Sequence, residues 1–227
     1  KDSGEQVSPD SDNEYFETVG KRRLFSKLDK KYVTISVDYE WLRRALYPVY
    51  IDTDVNYQTV ASGDDGGQTN DASYNYTATY QYVGHYEGAQ GADNDTDTCM
   101  RFTGVAVPKD ATISNTYIQI KVYAVNGSMD STFYGIAEDN TATMTSSPFG
   151  RSKTTGMRLD ASSWADLTVG DFRSSPDIST EVQEIVNRAG WSSGNAMGFL
   201  WYGIKVRDAA DNVGYYTYDQ TGNVSGP

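Results

Sequence analysis

The side chains able to do chemistry are few, and most are oxygen donors. Asp93, Asp95 and Asp97 alternate in the run GADNDTDT, and Asp52 and Asp54 alternate in IDTDV. Hard carboxylate oxygens at i, i+2 and i+4 of a loop can wrap one cation. The stretch lacks the glycine and the closing glutamate of an EF-hand loop. The expectation is therefore a structural Ca2+ held by Asp93, Asp95 and Asp97 in a loop from Gly88 to Asp97, set against a plain solvated acidic loop. The second set is aromatic: Tyr74, Tyr76, Tyr80, Tyr82, Tyr86 and Trp164. Flat apolar ring faces beside Asn, Asp and Gln hydrogen-bonding groups suit a sugar ring, although several of these rings are expected in the core instead.

No acid–base or nucleophile pattern accompanies them. The single histidine, His85, lies in a Gly/Tyr stretch and reads as a surface loop residue. His-Glu-x-x-His and P-loop motifs are absent. The adjacent acids Asp64-Asp65 and Glu138-Asp139 read as turn material. Two acids serve glycoside hydrolysis only at a set separation across a cleft. The one cysteine, Cys99, rules out a disulfide within the chain and reads as a small buried hydrophobe in the strand-like run TCMRFTGVAV. Arg101 is its one basic neighbour, too little to mark a reactive thiol. A protein that is not an enzyme is expected.

The formal net charge of −12 argues against nucleic acid and against an anionic membrane surface, both of which call for basic patches. No Lys or Arg occurs from Ala45 to Met100, while seven acids fall between Ala61 and Met100. No apolar run reaches the ~20 residues of a membrane span. No signal peptide is visible, and a first residue other than Met reads as a piece of something longer or a processed product.

The elements that must position these groups are mostly strands. With 18 Tyr and 21 Gly in 227 residues, alongside frequent Thr, Asn and Asp, the chain reads as all-β. Residues 1–20 read as a disordered or partner-bound lead-in, and Lys21-Arg22-Arg23 as a solvated turn. Residues 21–54 read as the end of a preceding β unit: YVTISVD alternates as a strand, and Tyr39 to Leu46 forms a helical turn or two, stopped by Pro48. Residues 55–227 form the main module. Tyr74 to Val83 has strand composition, and Cys99 to Val107 reads as a strand stopped by Pro108. Ile118, Ile120 and Val122 alternate with Tyr117, Gln119, Lys121 and Tyr123. Asn126-Gly127 predicts a hairpin turn, with Ser131 to Glu138 as the returning strand. Lys153 to Leu159 reads as an edge strand, and Val213 to Tyr218 as a short aromatic one. Ile178, Val182, Ile185 and Val186 recur at helical spacing after Asp177 and before Gly190, so one short helix is predicted there. Ala196 to Val206 is apolar on both faces, as a covered central strand is.

Two runs, MRFTGVAVPKDATISNTYIQIKV and DISTEVQEIVNRAGWSSGNAMGF, resemble a repeated β-sandwich module of bacterial surface proteins and of phage tail or virion proteins, close in style to DNRLRE and carbohydrate-binding-module-like jelly rolls. WLRRALYPVYIDTDV resembles the tag that ends a preceding β unit in such proteins, although Asp52-Thr53-Asp54 stands where Asp-Pro-Thr is usual. The resemblance spans about Trp41 to Tyr218. Such modules usually finish with one more apolar strand, which is not found before Pro227. An open slot beside a core strand would invite strand addition from a partner.

The resulting expectation is a jelly-roll-like β-sandwich with one short helix. It is expected to act without catalysis as a structural or adhesion module of a larger assembly, a phage virion or appendage protein that decorates, forms fibres or attaches to a host. Its partners would be other subunits, including copies of itself. The alternative is a carbohydrate-binding module of a secreted or cell-surface bacterial protein. Either places it on a virion or outside a cell.

Overall fold

Strands dominate the computed structural model, which describes residues 20–27, 30–37, 55–69, 73–88, 92–127, 129–160, 166–204, 211–220 and 227. The chain divides into two compact units, Lys1–Val55 and Asn56–Pro227. In the first, β1 (Gly20–Lys27) and β2 (Lys30–Val37) form an antiparallel hairpin in register from Gly20↔Val37 to Lys27↔Lys30. The alternating run Val33-Thr34-Ile35-Ser36-Val37 is thus a strand, as predicted. The cluster Lys21-Arg22-Arg23 is not a turn but lies inside β1. Ladder bonds use the backbone alone, so a strand-forming partner can recruit a charged stretch. The lead-in before residue 20, the helical turns at 39–46 and the tag at 41–54 lie outside the described residues, apart from β1 and β2 themselves.

Among the described residues, the second unit is all-β with one short α-helix. Its strands are β3 (Asp65–Thr69), β4 (Ser73–Asn75), β5 (Tyr80–Gly88), β6 (Ala92–Phe102), β7 (Gln119–Asn126), β8 (Asp130–Ile136), β9 (Lys153–Leu159), β10 (Phe172–Ser174), β11 (Met197–Ile204) and β12 (Asp211–Tyr216). They form one antiparallel sheet in the order β10-β7-β12-β5-β6-β11-β8-β9, with β3 and then β4 joined to β6. The sheet curls at β6. Thr96 pairs with Gly84 of β5 and with Thr69 of β3, which must therefore lie on opposite edges of β6. Next along, Asp97 to Phe102 pair with β11 on the edge that β5 has left. One half of the sheet continues from β5 and the other from β11, and the two face each other as a sandwich.

The core lies between the halves. Val83, Ile120, Val213 and Tyr215 come from one, and Met100, Phe133, Leu159, Phe199 and Trp201 from the other, all nearly inaccessible to solvent. The Trp201 and Tyr215 rings stack across the gap with centroids 6.2 Å apart. Helix α1 (Ser179–Val186) buries the predicted stripe Ile178, Val182, Ile185 and Val186 in the same cluster. The Asp177 carboxylate accepts the Ser179 N–H at 3.0 Å, satisfying one of the donors that every helix start leaves open. Gln183 joins the helix to residues 111 and 113, on the segment that passes from one half of the sheet to the other.

Strand β11 is central and covered on both faces, as its apolar run predicts. Met197, Phe199 and Trp201 face the main core. Leu200 faces a second cluster with Cys99, Ile136, Met144 and Phe149. Among the described residues, strand β9 pairs only with β8 and is an edge, also as predicted. The expected β7–β8 hairpin does not form. β7 pairs with β10 and β12, whereas β8 pairs with β9 and β11, so the chain crosses between the halves after Gly127. An Asn-Gly signal fixes a local turn; which strands then pair depends on the apolar faces meeting across the core. Strand β12 is bonded to β5 on one edge and to β7 on the other.

Where β5 and β11 part, their backbones touch. A Cβ on Gly203 would lie 2.4 Å from the Gly84 Cα, and Gly84 itself has φ +114, which L side chains rarely adopt. Gly203→Ala is expected to cost about 1–3 kcal/mol through overpacking against main chain. Urea unfolding measures it, and an unchanged midpoint would show that the two strands are not in contact there.

Candidate binding face and groove

Alternation on the β10-β7-β12-β5 half sends one set of side chains into the core and the other outward. The outward set is rich in aromatic rings, with Gln119 and Lys121 among them on β7. Tyr80 stacks on Tyr123 with centroids 4.3 Å apart and planes 11° from parallel. Tyr82 meets Tyr123 edge to face at 6.0 Å, and Tyr216 meets it at 5.2 Å. Gly214 makes room for this: a Cβ there would lie 2.8 Å from the Tyr82 ring and 3.1 Å from that of Tyr123. The β7–β12 register also shifts between Gly214 and Tyr215. Further along, the Lys121 ammonium lies 5.6 Å from the Phe172 ring centre and 5.9 Å from that of Tyr216. Tyr80 and Phe172 remain 41% and 54% exposed, at opposite ends of this strip.

The outer face of the other half is covered. Residues 137–151 lay Met144 and Phe149 over Leu200, Cys99 and Ile136, with Tyr74, Tyr134 and Tyr202 around them. The Tyr202 hydroxyl donates to the Phe149 carbonyl at 2.9 Å, and Arg101 donates to the Thr141 carbonyl. The two outer faces therefore differ, one sealed by its own chain and the other showing rings.

An open groove of about 580 Å³ adjoins the ring strip at Tyr80 and Tyr82. Gly67, Gln68 and Thr69 of β3 contribute to its lining, with Ser73, Asn75, Thr77, Ala78, Thr79 and Gln81. Its polar groups are held in place. The Asn75 carboxamide oxygen accepts the Thr77 N–H at 2.9 Å, an Asx turn that redirects the chain out of β4. Gln81 donates to the Asn75 carbonyl at 2.8 Å, and Ser147 donates to Gln68 at 2.8 Å. Thr217 donates through its N–H to the Thr79 carbonyl and through its hydroxyl to that of Ala78.

Of the aromatic candidates, the fold brings Tyr80 and Tyr82 together at the groove. Tyr74 is a packing residue on the covered face: its hydroxyl donates to the Met144 carbonyl at 2.6 Å and lies 3.3 Å from the Cys99 sulfur. Burial, then the neighbouring Cys99, pushes its phenol above the usual range. Tyr76 sits beside Tyr74, ring centroids 6.2 Å apart. The Tyr86 side chain and Trp164 lie outside the described residues. Sequence reasoning did not single out Tyr123, Tyr216 and Phe172, although the alternation of Tyr123 against Ile120 and Val122 carried the signal for the first.

Asp93, Asp95 and Asp97 do not form a loop. They lie within β6, where same-face neighbours stand ~6.8 Å apart along the strand, too extended to wrap one cation. Asp95 Oδ1 is 3.0 Å from His85 Nδ1, and Asp97 accepts the Gly203 N–H at 3.1 Å. Among the described residues, no group of three or more His, Cys, Asp or Glu side chains is placed to hold a metal ion. His85 is likewise not a surface loop residue: it lies in β5 and is 1% exposed. Cys99 is buried, as expected, and burial pushes its thiol up to about 12.

The adjacent acids at the start of β3 are not solvated turn material. Asp64, in a short 3-10 turn, pairs with Arg101 at 2.5 Å, and Asp65 accepts the Tyr218 N–H at 2.8 Å. Both carboxylates are 1% exposed. No family model matches the chain, and no curated protein matches it.

The ring strip should cost little to trim compared with the core. Tyr123→Ala is expected to lose about 1–2 kcal/mol of stability, since it removes ring-pair contacts from a half-exposed site. Tyr215→Ala, which empties a fully buried site, is expected to lose about 3–5 kcal/mol. Denaturant unfolding of the two variants reads the difference, and equal losses would show that Tyr123 is a core residue.

Proposed function

We propose that this protein is a non-catalytic adhesion module of a larger assembly, such as a virion, an appendage or a bacterial surface structure, and that it binds carbohydrate along the Tyr80 groove and the adjoining ring strip. The observation that carries the reading is the join of two surfaces. Exposed and half-exposed tyrosine rings run into a groove whose polar side chains are amides, hydroxyls and phenols, with no charged side chain. Ring faces take the apolar C–H face of a sugar, and oriented amides and hydroxyls take its hydroxyls. A neutral groove within a stretch this rich in acids favours an uncharged, polyhydroxylated ligand over a cation or a basic peptide. The width of the strip adds a second point. It crosses four neighbouring strands, β5, β12, β7 and β10, at ~4.8 Å each, which suits a chain of several sugar units rather than one.

Binding is favoured over catalysis by the position of the titratable groups. His85 is buried against Asp95, and Asp64 is committed to Arg101. Assembly through faces is favoured over strand addition. β12 has both edges paired, and at the β9 edge the Glu184 carboxylate accepts the Thr155 N–H at 3.0 Å.

Probing an array of neutral and acidic glycans with the intact protein tests the reading. Retention of neutral oligosaccharides is expected, with affinity rising from disaccharide to longer chains. Tyr80→Ala and Gln81→Ala are each expected to weaken binding by about tenfold, equivalent to ~1.4 kcal/mol, with an unchanged circular dichroism spectrum. An array with no retained glycan, or variants that bind like the parent, would sink it.

A further inference from the structure

The two walls of the groove are tied to each other through one buried carboxyl group. One wall is β3, where Asp65 stands two residues before Gly67. The other includes Ala78 and Thr79, whose carbonyls are held by Thr217. The next residue, Tyr218, donates its N–H to Asp65 Oδ2 at 2.8 Å, and Ser62 donates to Asp219 Oδ1 at 2.6 Å. Asp65 thereby joins the turn at 217–220 to β3.

The site is poorly built for a negative charge. Asp65 is 1% exposed and its Oδ1 is buried, with the nearby Thr59 hydroxyl directed at the Pro227 carbonyl at 3.2 Å. The Asp219 Oδ2 atom is also buried and unpartnered. Among the described residues, the titratable and charged groups facing Asp65 are Asp64 on the same bend, Asp219 on the turn, Tyr74 on β4, Cys99 on β6 and Tyr215 on β12. The cation Arg101 is committed to Asp64. A protonated Asp65 fits such surroundings, whereas an ionised one has only the Tyr218 N–H and the Thr59 hydroxyl to set against burial and the repulsion of two carboxylates.

We infer that Asp65 is a protonation-controlled clasp, which holds the two walls of the groove together when neutral and lets the 217–220 turn part from β3 when ionised. Burial first, and the carboxylates of Asp219 and Asp64 after it, push the Asp65 pKa from 3.8 up to about 7, against the pull of the Tyr218 N–H. The closed clasp therefore holds a proton that the opened one, with Asp65 in water, releases. Its stability is full below about pH 4 and is lost progressively as pH rises to about 7. The clasp is a property of the fold; its effect on ligand grip rests on the binding role proposed above for the groove.

Amide hydrogen exchange at Tyr218, followed by NMR on the intact chain between pH 5 and 8, tests it without any ligand. After correction for intrinsic exchange, the opening constant is expected to rise about tenfold per pH unit up to about pH 7 and then level off, as loss of one proton requires. Asp65→Asn, which keeps the shape of the neutral acid, is expected to give a flat profile. Should that variant fail to fold, Asp219→Asn is expected to move the levelling point to lower pH. A parent profile that is flat, or that Asp219→Asn leaves in place, overturns the clasp. A clasp that opens with pH in a protein that retains no glycan would leave this inference standing and remove the binding role instead.

Discussion

The fold depends on the sharing of β6 between two neighbours on one edge. Its first half bonds to β5 and its second half to β11, so the sheet cannot stay flat past Thr96. Two strands arriving at the same edge must part from one another, and they do so at Gly84 and Gly203, where neither can carry a side chain. From that point the sheet returns upon itself, and the apolar faces of its two halves meet. The helix and the segment at 103–118 then enclose one side of the core, with Trp191 buried and its indole N–H donating to the Val107 carbonyl at 3.0 Å.

Curling a sheet gives it two outer faces, and this chain treats them differently. One is sealed by residues 137–151, whose buried Met144 and Phe149 turn it into a second core. On the other, alternation alone would permit polar side chains, yet tyrosines and a phenylalanine occupy the outward positions. They also pack on each other, with Tyr123 central to contacts with Tyr80, Tyr82 and Tyr216. Rings held by neighbouring rings lose little freedom when a ligand covers them, so such a strip is preorganised for contact. The same arrangement keeps the strip's exposed area modest, because most rings are half-buried by their neighbours.

Legibility in the sequence followed the range of the forces involved. Helix α1 and strand β11 are readable because their apolar periods are local and strong: the Ile178 stripe at helical spacing, and a run with no polar face from Met197 to Trp201. Asn126-Gly127 misleads because a turn signal says nothing about partners, and β7 and β8 choose theirs across the core. The acidic run misleads in another way. GADNDTDT has the composition of a loop, but β6 continues through it because β5 supplies ladder partners from Glu87↔Asp93 to Gly84↔Thr96. Tyr74 and Tyr80 look alike in sequence, and only tertiary position makes one a packing residue and the other a surface ring.

The net charge of −12 is spent in a way composition does not disclose. Several acids of the stretch from Ala61 to Met100 act as acceptors for main-chain donors, some of them in distant elements. Asp64 takes the Val60 N–H, Asp65 that of Tyr218, and Asp97 that of Gly203. An ionised acid accepting backbone N–H groups bonds more strongly than a neutral acceptor, whereas Asp65 holds Tyr218 as a neutral acid; together these residues stitch loop to strand where the sheet itself offers no ladder. Their use for internal bonding leaves the groove between them uncharged. For the binding role proposed above, repulsion of anionic ligands by the whole chain and the lack of charged side chains in the groove to hold an ion together favour a neutral partner.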